Sequence, residues 1–117
     1  MPKSILINSK IKNFNQKIIV DGDKSISIRS LIFASIANGK SVVKNLLESE
    51  DVLNALKCLK KLGAKIQKNK DSYCITGMGI NNFNYKKNIL LNAGNSGTLA
   101  RLILSLVIKS PFKIKLI

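Results

Sequence analysis

The chain has 117 residues, of which 45% are hydrophobic and 22% are charged, a composition that suits one folded domain and excludes a disordered tail. The apolar stretch near its end, residues 102–108, is far shorter than the roughly 20 residues that a membrane-spanning helix needs. The formal net charge of +14 would attract polyanions such as nucleic acid, but the surplus is lysine spread along the whole sequence, which codon bias explains as readily as a binding surface.

Short apolar segments at residues 4–7 and 17–20 predict two strands joined by a polar turn. A helical pattern follows over residues 25–38, with Gly39 as its expected carboxyl-terminal cap. The core face of this helix is predicted to comprise Ile28, Leu31, Ile32, Ala34, Ser35 and Ile36. Residues 41–46 are expected to form the next strand.

A second, amphipathic helix is predicted over residues 52–62, with Ser49 as its cap and Gly63 as its stop. Its core face is expected to comprise Leu53, Ala55, Leu56, Leu59 and Leu62. Half of the six acidic residues gather at its start, where negative charge is favourable: Glu48, Glu50 and Asp51. This position explains them structurally, although Asp51 could also orient Lys24 or Arg101.

Residues 64–67 and 72–76 alternate like two paired strands, and residues 88–93 read as a further strand. A third helix begins near Asn95 and ends before Pro111, and residues 113–117 alternate like a strand again. The predicted order is an alternating α/β layout. Because the sequence stops inside a predicted strand, we expect a truncated chain whose second repeat is incomplete.

Histidine is absent and the two cysteines, Cys58 and Cys74, lack the spacing of a zinc or redox motif. We therefore expect no transition-metal site and interpret both cysteines as buried or half-buried side chains. The first residues lack the continuous apolar segment of a secretory signal, which favours a cytoplasmic protein.

Two loops share one design, a strand that runs through a glycine-containing turn into the start of a helix: IIV-DGDKS-ISIR and LLN-AGNSGT-LAR. Exposed amide groups and the helix dipole favour an anion at such a position. In the first loop, Lys24 adds a mobile positive charge, and Ser25 and Arg29 share one helical face. Both loops are candidate sites for a phosphate or a carboxylate.

A purely structural interpretation remains open for each loop. Asp23 or Ser25 could simply cap the first helix, with Lys24 solvated and the Arg29 stem packed on the core. In the second loop, Asn95 or Thr98 could cap the third helix after a routine glycine turn. Spacing alone names no reaction.

Two long stretches, residues 21–64 (DGDKSISIRSLIFASIANGKSVVKNLLESEDVLNALKCLKKLGA) and 94–106 (GNSGTLARLILSL), resemble the amino-terminal part of the 5-enolpyruvylshikimate-3-phosphate synthase family. The resemblance implies α/β architecture, with βαβαββ units of the enolpyruvyl transferase fold, an inside-out α/β barrel. This chain would hold one complete unit and part of a second. Residues 1–20 would be opening strands of the other domain, and residues 21–117 an incomplete amino-terminal substrate-binding domain.

The resemblance also implies a reaction, the transfer of the enolpyruvyl group of phosphoenolpyruvate to the 5-hydroxyl of shikimate 3-phosphate without a metal or organic cofactor. Lys24, Ser25 and Arg29 would bind shikimate 3-phosphate. Lys24, Asn95 and Gly97 would bind phosphoenolpyruvate. A glycine at position 97 leaves room for glyphosate, so the full enzyme, which we expect to be a monomer, should be inhibited by it.

One departure from the family is Ile28, which stands where relatives usually carry histidine or asparagine. The proton-transfer groups and the opposite domain of the family have no counterpart here, so we expect no catalysis from this piece alone. Two alternatives remain. One is a stand-alone α/β module that binds a phosphorylated metabolite, and the other is a basic nucleic-acid-binding module, against which the 5% content of aromatic residues argues.

Overall fold

A computed structural model describes residues 19–117 continuously, together with the separate positions 4, 6, 8, 10, 13, 15 and 17. The strand predicted over residues 4–7 therefore lies outside the described residues as a segment, and the strand predicted over residues 17–20 is described except at position 18. Ile19 and Val20 are described and belong to no strand. In chain order the elements are α1 (Lys24–Ile36), β1 (Asn38–Lys44), α2 (Glu50–Lys61), β2 (Lys65–Lys68), β3 (Ser72–Met78), β4 (Leu90–Leu91), α3 (Gly97–Val107) and β5 (Lys115–Leu116).

Strands β1, β2 and β3 form a sheet in the order β1-β3-β2, with β3 antiparallel to both neighbours. Strands β1 and β2 are therefore parallel to each other, and helix α2 is the crossover that such a pair requires. The predicted pairing of the two strands that follow α2 is confirmed, with Ile66 opposite Ile75.

The core lies between α1, α2 and β3, because α1 packs against both α2 and β3. Its fully buried side chains include Ile28, Leu31, Val52, Leu59, Leu62 and Ile75. Burial of one such side chain stabilises the fold by about 1.5–3 kcal/mol. Cys58 is buried and Cys74 is half-buried, as predicted.

Two details of the predicted helices are wrong. Helix α1 ends at Ile36, with Ala37 in an extended conformation, and Gly39 already belongs to β1. Gly39 has a left-handed φ of +94°, but it lies three residues beyond Ile36, inside the strand, and caps no helix. On α2 the buried face runs through Val52, Ala55, Leu56 and Leu59, and Leu53 is 39% exposed, because its direction differs by about 100° from that of Val52.

The remaining elements begin a second unit in which α3 connects the parallel strands β4 and β5. These strands are shorter than predicted, with Leu90 opposite Lys115 and Leu91 opposite Leu116. Side chains of α3, β4 and β5 line an open apolar groove of about 560 Å³. Among the described residues, every helix is too short or too polar to cross a membrane.

Candidate anion-binding site

In the first loop, an acidic residue caps the start of α1. Asp23 Oδ1 accepts a hydrogen bond of 2.7 Å from the backbone N–H of Ile26, so that Asp23, and not Ser25, is the cap of α1. A Cβ atom on Gly22 would lie 2.2 Å from the carbonyl oxygen of Asn45. Glycine is required at this position because another part of the same chain passes close to it.

Lys24 is the first residue of α1, and its charge is paired. The Nζ atom of Lys24 lies 3.1 Å from Oδ2 of Asp51, and the two side chains are 49% and 18% exposed. A positive charge at the amino end of a helix is unfavourable because the helix dipole is positive there. The Asp51 carboxylate offsets this repulsion and holds the ammonium group beside the first turn of α2.

Ser25 and Arg29 share one face of α1, as their spacing predicts. The Nη1 atom of Arg29 donates a hydrogen bond of 3.2 Å to the carbonyl oxygen of Ser25. The guanidinium group is exposed and carries five N–H donors, so further donors can face a ligand. Its planar geometry suits two oxygens of one phosphate.

In the second loop, a neutral residue caps the start of α3. Ser96 Oγ accepts a hydrogen bond of 3.1 Å from the backbone N–H of Leu99, and Ser96 is only 3% exposed. The prediction that Asn95 or Thr98 caps α3 is wrong, because Ser96 directly precedes the first helical residue. Asn95 lies exposed beside this helix end. An added Cβ on Gly97 would meet no atom within 4 Å, so the start of α3 is open.

Helix α2 contacts both loops. An added Cβ on Gly94 would lie 2.6 Å from the Nδ2 atom of Asn54, and Gly94 also has a left-handed φ of +57°. Asn54 follows Asp51 by three residues, which places the two side chains about 4.5 Å apart along the helix axis. The structure therefore brings Lys24 of the first loop and Gly94 of the second to adjacent turns of α2, and α1 also contacts α3.

Two residues that position these loops were not found from the sequence. One is Asn54, whose neighbour Gly94 is distant along the chain. The other is Ser27, whose buried hydroxyl accepts a 3.1 Å hydrogen bond from the backbone N–H of Leu47 and ties α1 to the segment before α2. A single polar residue in a helical pattern is too common to indicate such a contact. Ser49, the predicted cap of α2, makes no capping bond through its side chain.

The acidic residues near α2 separate into two groups. Glu50 and Asp51 lie in its first turn, as predicted. Glu48 instead joins the sheet, where Lys68 lies 2.5 Å from Glu48 Oε1 and the Tyr73 hydroxyl donates a hydrogen bond of 2.6 Å to the same oxygen. The bond to Lys68 and the bond from Tyr73 lower the pKa of Glu48. Glu48 and Asp51 therefore serve different partners and form no catalytic carboxylate pair.

The pKa values of three other side chains are also shifted by hydrogen bonding or by burial. The Glu48 carboxylate raises the pKa of Lys68, and burial raises the pKa of Tyr73. Burial also raises the pKa of the Cys58 thiol, whose Sγ atom donates a 3.3 Å hydrogen bond to the carbonyl oxygen of Asn92. In the part of the chain that the structure describes, no group of three or more metal-binding side chains comes together.

Comparison with known proteins identifies the family of this chain. The family model of EPSP synthase (3-phosphoshikimate 1-carboxyvinyltransferase) matches residues 8–117. The chain belongs to the 5-enolpyruvylshikimate-3-phosphate (EPSP) synthase family. A 3-phosphoshikimate 1-carboxyvinyltransferase of Syntrophomonas wolfei is 41% identical over 106 residues, covering 91% of this chain and 24% of that protein. One of Streptococcus pyogenes serotype M2 is 43% identical over 100 residues, covering 86% of this chain and 23% of that protein.

Solved EPSP synthase structures share the fold. An EPSP synthase from Acinetobacter baumannii superposes with a TM-score of 0.72 at 34% sequence identity, over 86% of this chain and 23% of that one. The α/β fold class and the family resemblance are thus confirmed. The chain spans about a quarter of the length of the curated EPSP synthase relatives that it matches.

Proposed function

We propose that this chain is the substrate-binding part of an enzyme that transfers the enolpyruvyl group of phosphoenolpyruvate to the 5-hydroxyl of shikimate 3-phosphate. One observation carries the proposal. The loop before α1 and the loop before α3 contact adjacent turns of α2. The first loop carries cationic side chains, and the second leaves space for a ligand at the start of α3. That arrangement suits two anionic ligands side by side, in a chain about 40% identical to 3-phosphoshikimate 1-carboxyvinyltransferases.

In this proposal, Lys24, Ser25 and Arg29 bind the phosphate of shikimate 3-phosphate. The N–H groups at the start of α1 and the Ser25 hydroxyl donate hydrogen bonds, and the exposed Arg29 guanidinium can hold two phosphate oxygens. Lys24 supplies a point charge with three donors, one of which is occupied by Asp51. Such charge-assisted hydrogen bonds contribute about 1.5–3 kcal/mol each.

Phosphoenolpyruvate is proposed to lie against Lys24, Asn95 and Gly97. The open start of α3 at Gly97 lets a small anion approach the backbone closely. The same space would admit glyphosate, so we propose glyphosate as an inhibitor that competes with phosphoenolpyruvate.

The chemistry is an addition followed by an elimination. The 5-hydroxyl gives up its proton to a base as its oxygen forms a bond to C2 of phosphoenolpyruvate, and C3 takes up a proton from an acid. The tetrahedral product then loses a proton from C3 while the bond between C2 and the phosphate oxygen breaks, which releases phosphate. The described residues supply the cations that neutralise the phosphates, whereas we assign the proton-transfer groups to another part of a longer polypeptide. Residues 1–20 are proposed to join the opposite domain and residues 21–117 to form the incomplete substrate-binding domain.

The test is to express the whole reading frame that contains this chain and to measure phosphate release from shikimate 3-phosphate plus phosphoenolpyruvate. We expect turnover that Lys24→Met reduces strongly, inhibition by glyphosate, and no turnover from residues 1–117 alone.

We further propose a cytoplasmic monomer that binds neither nucleic acid nor membranes. A wild-type protein that binds shikimate 3-phosphate without turnover would indicate a metabolite-binding module. Salt-sensitive RNA binding without affinity for shikimate 3-phosphate would indicate a nucleic-acid-binding module.

A further inference from the structure

We infer that Asp51 is a positioning residue that fixes the ammonium group of Lys24 between the two loops. The inference rests on the proposed function, because it concerns the same substrate-binding lysine. Its basis is the 3.1 Å ion pair between the two side chains and the place of Asp51 on α2. Asp51 is not assigned to substrate contact; it acts through Lys24.

Lys24 needs such a partner. Its side chain has four flexible carbon atoms and is half exposed, so that ordering it costs rotamer entropy. It is also the first residue of α1, where the helix dipole repels a cation. Without a fixed carboxylate, the ammonium group would move toward solvent and away from the start of the helix.

The Asp51 side chain is more restricted in its position than the Lys24 side chain with which it pairs. Its side chain is 18% exposed, and it lies in the first turn of α2, where the dipole favours a carboxylate. The next residue, Val52, and Ala55 are fully buried in the core. One turn further, Asn54 contacts the backbone at Gly94. The position of the ammonium group is therefore defined relative to both loops by one rigid helix.

The ion pair contributes little to stability, because solvent screens partly exposed pairs. The direction in which removal of the Asp51 charge changes substrate binding distinguishes two possible roles of this residue. If Asp51 only adds negative charge near an anion site, removing that charge should strengthen anion binding. If Asp51 positions Lys24, removing the charge should weaken productive binding although the site becomes more positive.

The experiment uses the full-length enzyme with Asp51→Asn, the conservative Asp51→Glu, and Glu50→Gln as a matched control in the same helical turn. We expect Asp51→Asn to lower kcat/KM for phosphoenolpyruvate about tenfold, which corresponds to about 1.4 kcal/mol. Asp51→Glu should recover part of the loss, and Glu50→Gln should behave like the wild type. Thermal unfolding followed by circular dichroism should be nearly unchanged in all three. Unchanged or tighter substrate binding in Asp51→Asn would overturn the inference.

A double-mutant cycle with Lys24→Met tests the route of the effect. Shikimate 3-phosphate affinity should fall on Asp51→Asn in the wild-type background and stay constant in the Lys24→Met background. An equal loss in both backgrounds contradicts the inference. Side-chain NMR of the Lys24 ammonium group, which should become more mobile in Asp51→Asn, needs no substrate. If the wild type shows no enolpyruvyl transfer but this NMR change occurs, the proposed function fails and the positioning role of Asp51 stands.

Discussion

The loop before α1 is crowded and charged, whereas the loop before α3 is neutral and open at the helix start. Gly22 meets the backbone of Asn45, Asp23 caps the helix, and Lys24 pairs with Asp51. In the other loop Ser96 is the cap, and Gly97 faces empty space. Packing therefore requires glycine at Gly22 and, in the second loop, at Gly94, whereas Gly97 leaves the start of α3 open.

The largest expected difference comes from adding one methyl group to each loop. Gly22→Ala should lower the free energy of unfolding by about 3 kcal/mol, because its Cβ would collide with rigid backbone atoms at 2.2 Å and 2.9 Å. Gly97→Ala meets no such atom and should leave stability unchanged or raise it by about 0.4–1 kcal/mol. Urea unfolding of the full-length protein measures both effects.

The same pair of variants separates packing from access in function. Gly97→Ala should weaken glyphosate inhibition while the protein remains folded, because its methyl group occupies the open start of α3. The contrast between the loops is broken if Gly22→Ala is as stable as the wild type, or if Gly97→Ala unfolds as easily as Gly22→Ala.

A smaller difference is expected from removing the two caps. Asp23→Ala and Ser96→Ala should each cost about 1 kcal/mol, because one backbone N–H loses its acceptor. The Asp23 cap also carries a charge at the amino end of the helix, so its contribution should shrink at about 1 M salt. The Ser96 cap should show no such dependence. Equal salt dependence of the two variants in urea unfolding would argue against a charged and a neutral loop.

The smallest effect concerns Glu48, an acid close in sequence to Asp51 but bonded to the sheet. Its pKa lies below the ordinary value of 4.5, so its contribution to stability is present above that pH and is lost as the pH falls through the lower folded-state pKa. Glu48→Gln should therefore lower the unfolding temperature slightly at neutral pH and leave it unchanged in acid.

Lys68, the partner of Glu48, contributes to stability with the opposite pH dependence. The pKa of Lys68 lies above 10.5, so its contribution is complete below that pH and is lost as the pH rises through the higher folded-state value. Glu50→Gln is the control, and neither variant should change the affinity for shikimate 3-phosphate. A substrate effect of Glu48→Gln as large as that of Asp51→Asn would show that any acid near α2 matters, and not the loops.

Local rules predicted those parts of the site that depend on neighbouring residues. The Ser25–Arg29 contact follows from four-residue spacing on a helix, and Asp23 was one of two caps that a polar residue before an apolar helical pattern allows. The same rules failed at Gly39 and Leu53. There the outcome depends on which strand follows the helix and on which side of α2 meets the core.

By itself, the sequence determined the alternating α/β layout, the two helix-starting loops, and the lysine, serine and arginine that carry the family resemblance. All of these depend on residue type and short spacing. Only the tertiary structure decided that Asp51 holds Lys24, that Asn54 meets Gly94, and that Gly22 is crowded while Gly97 is open. These contacts join segments distant along the chain, and their distances are set by the packing of α1 and α2 on the shared core.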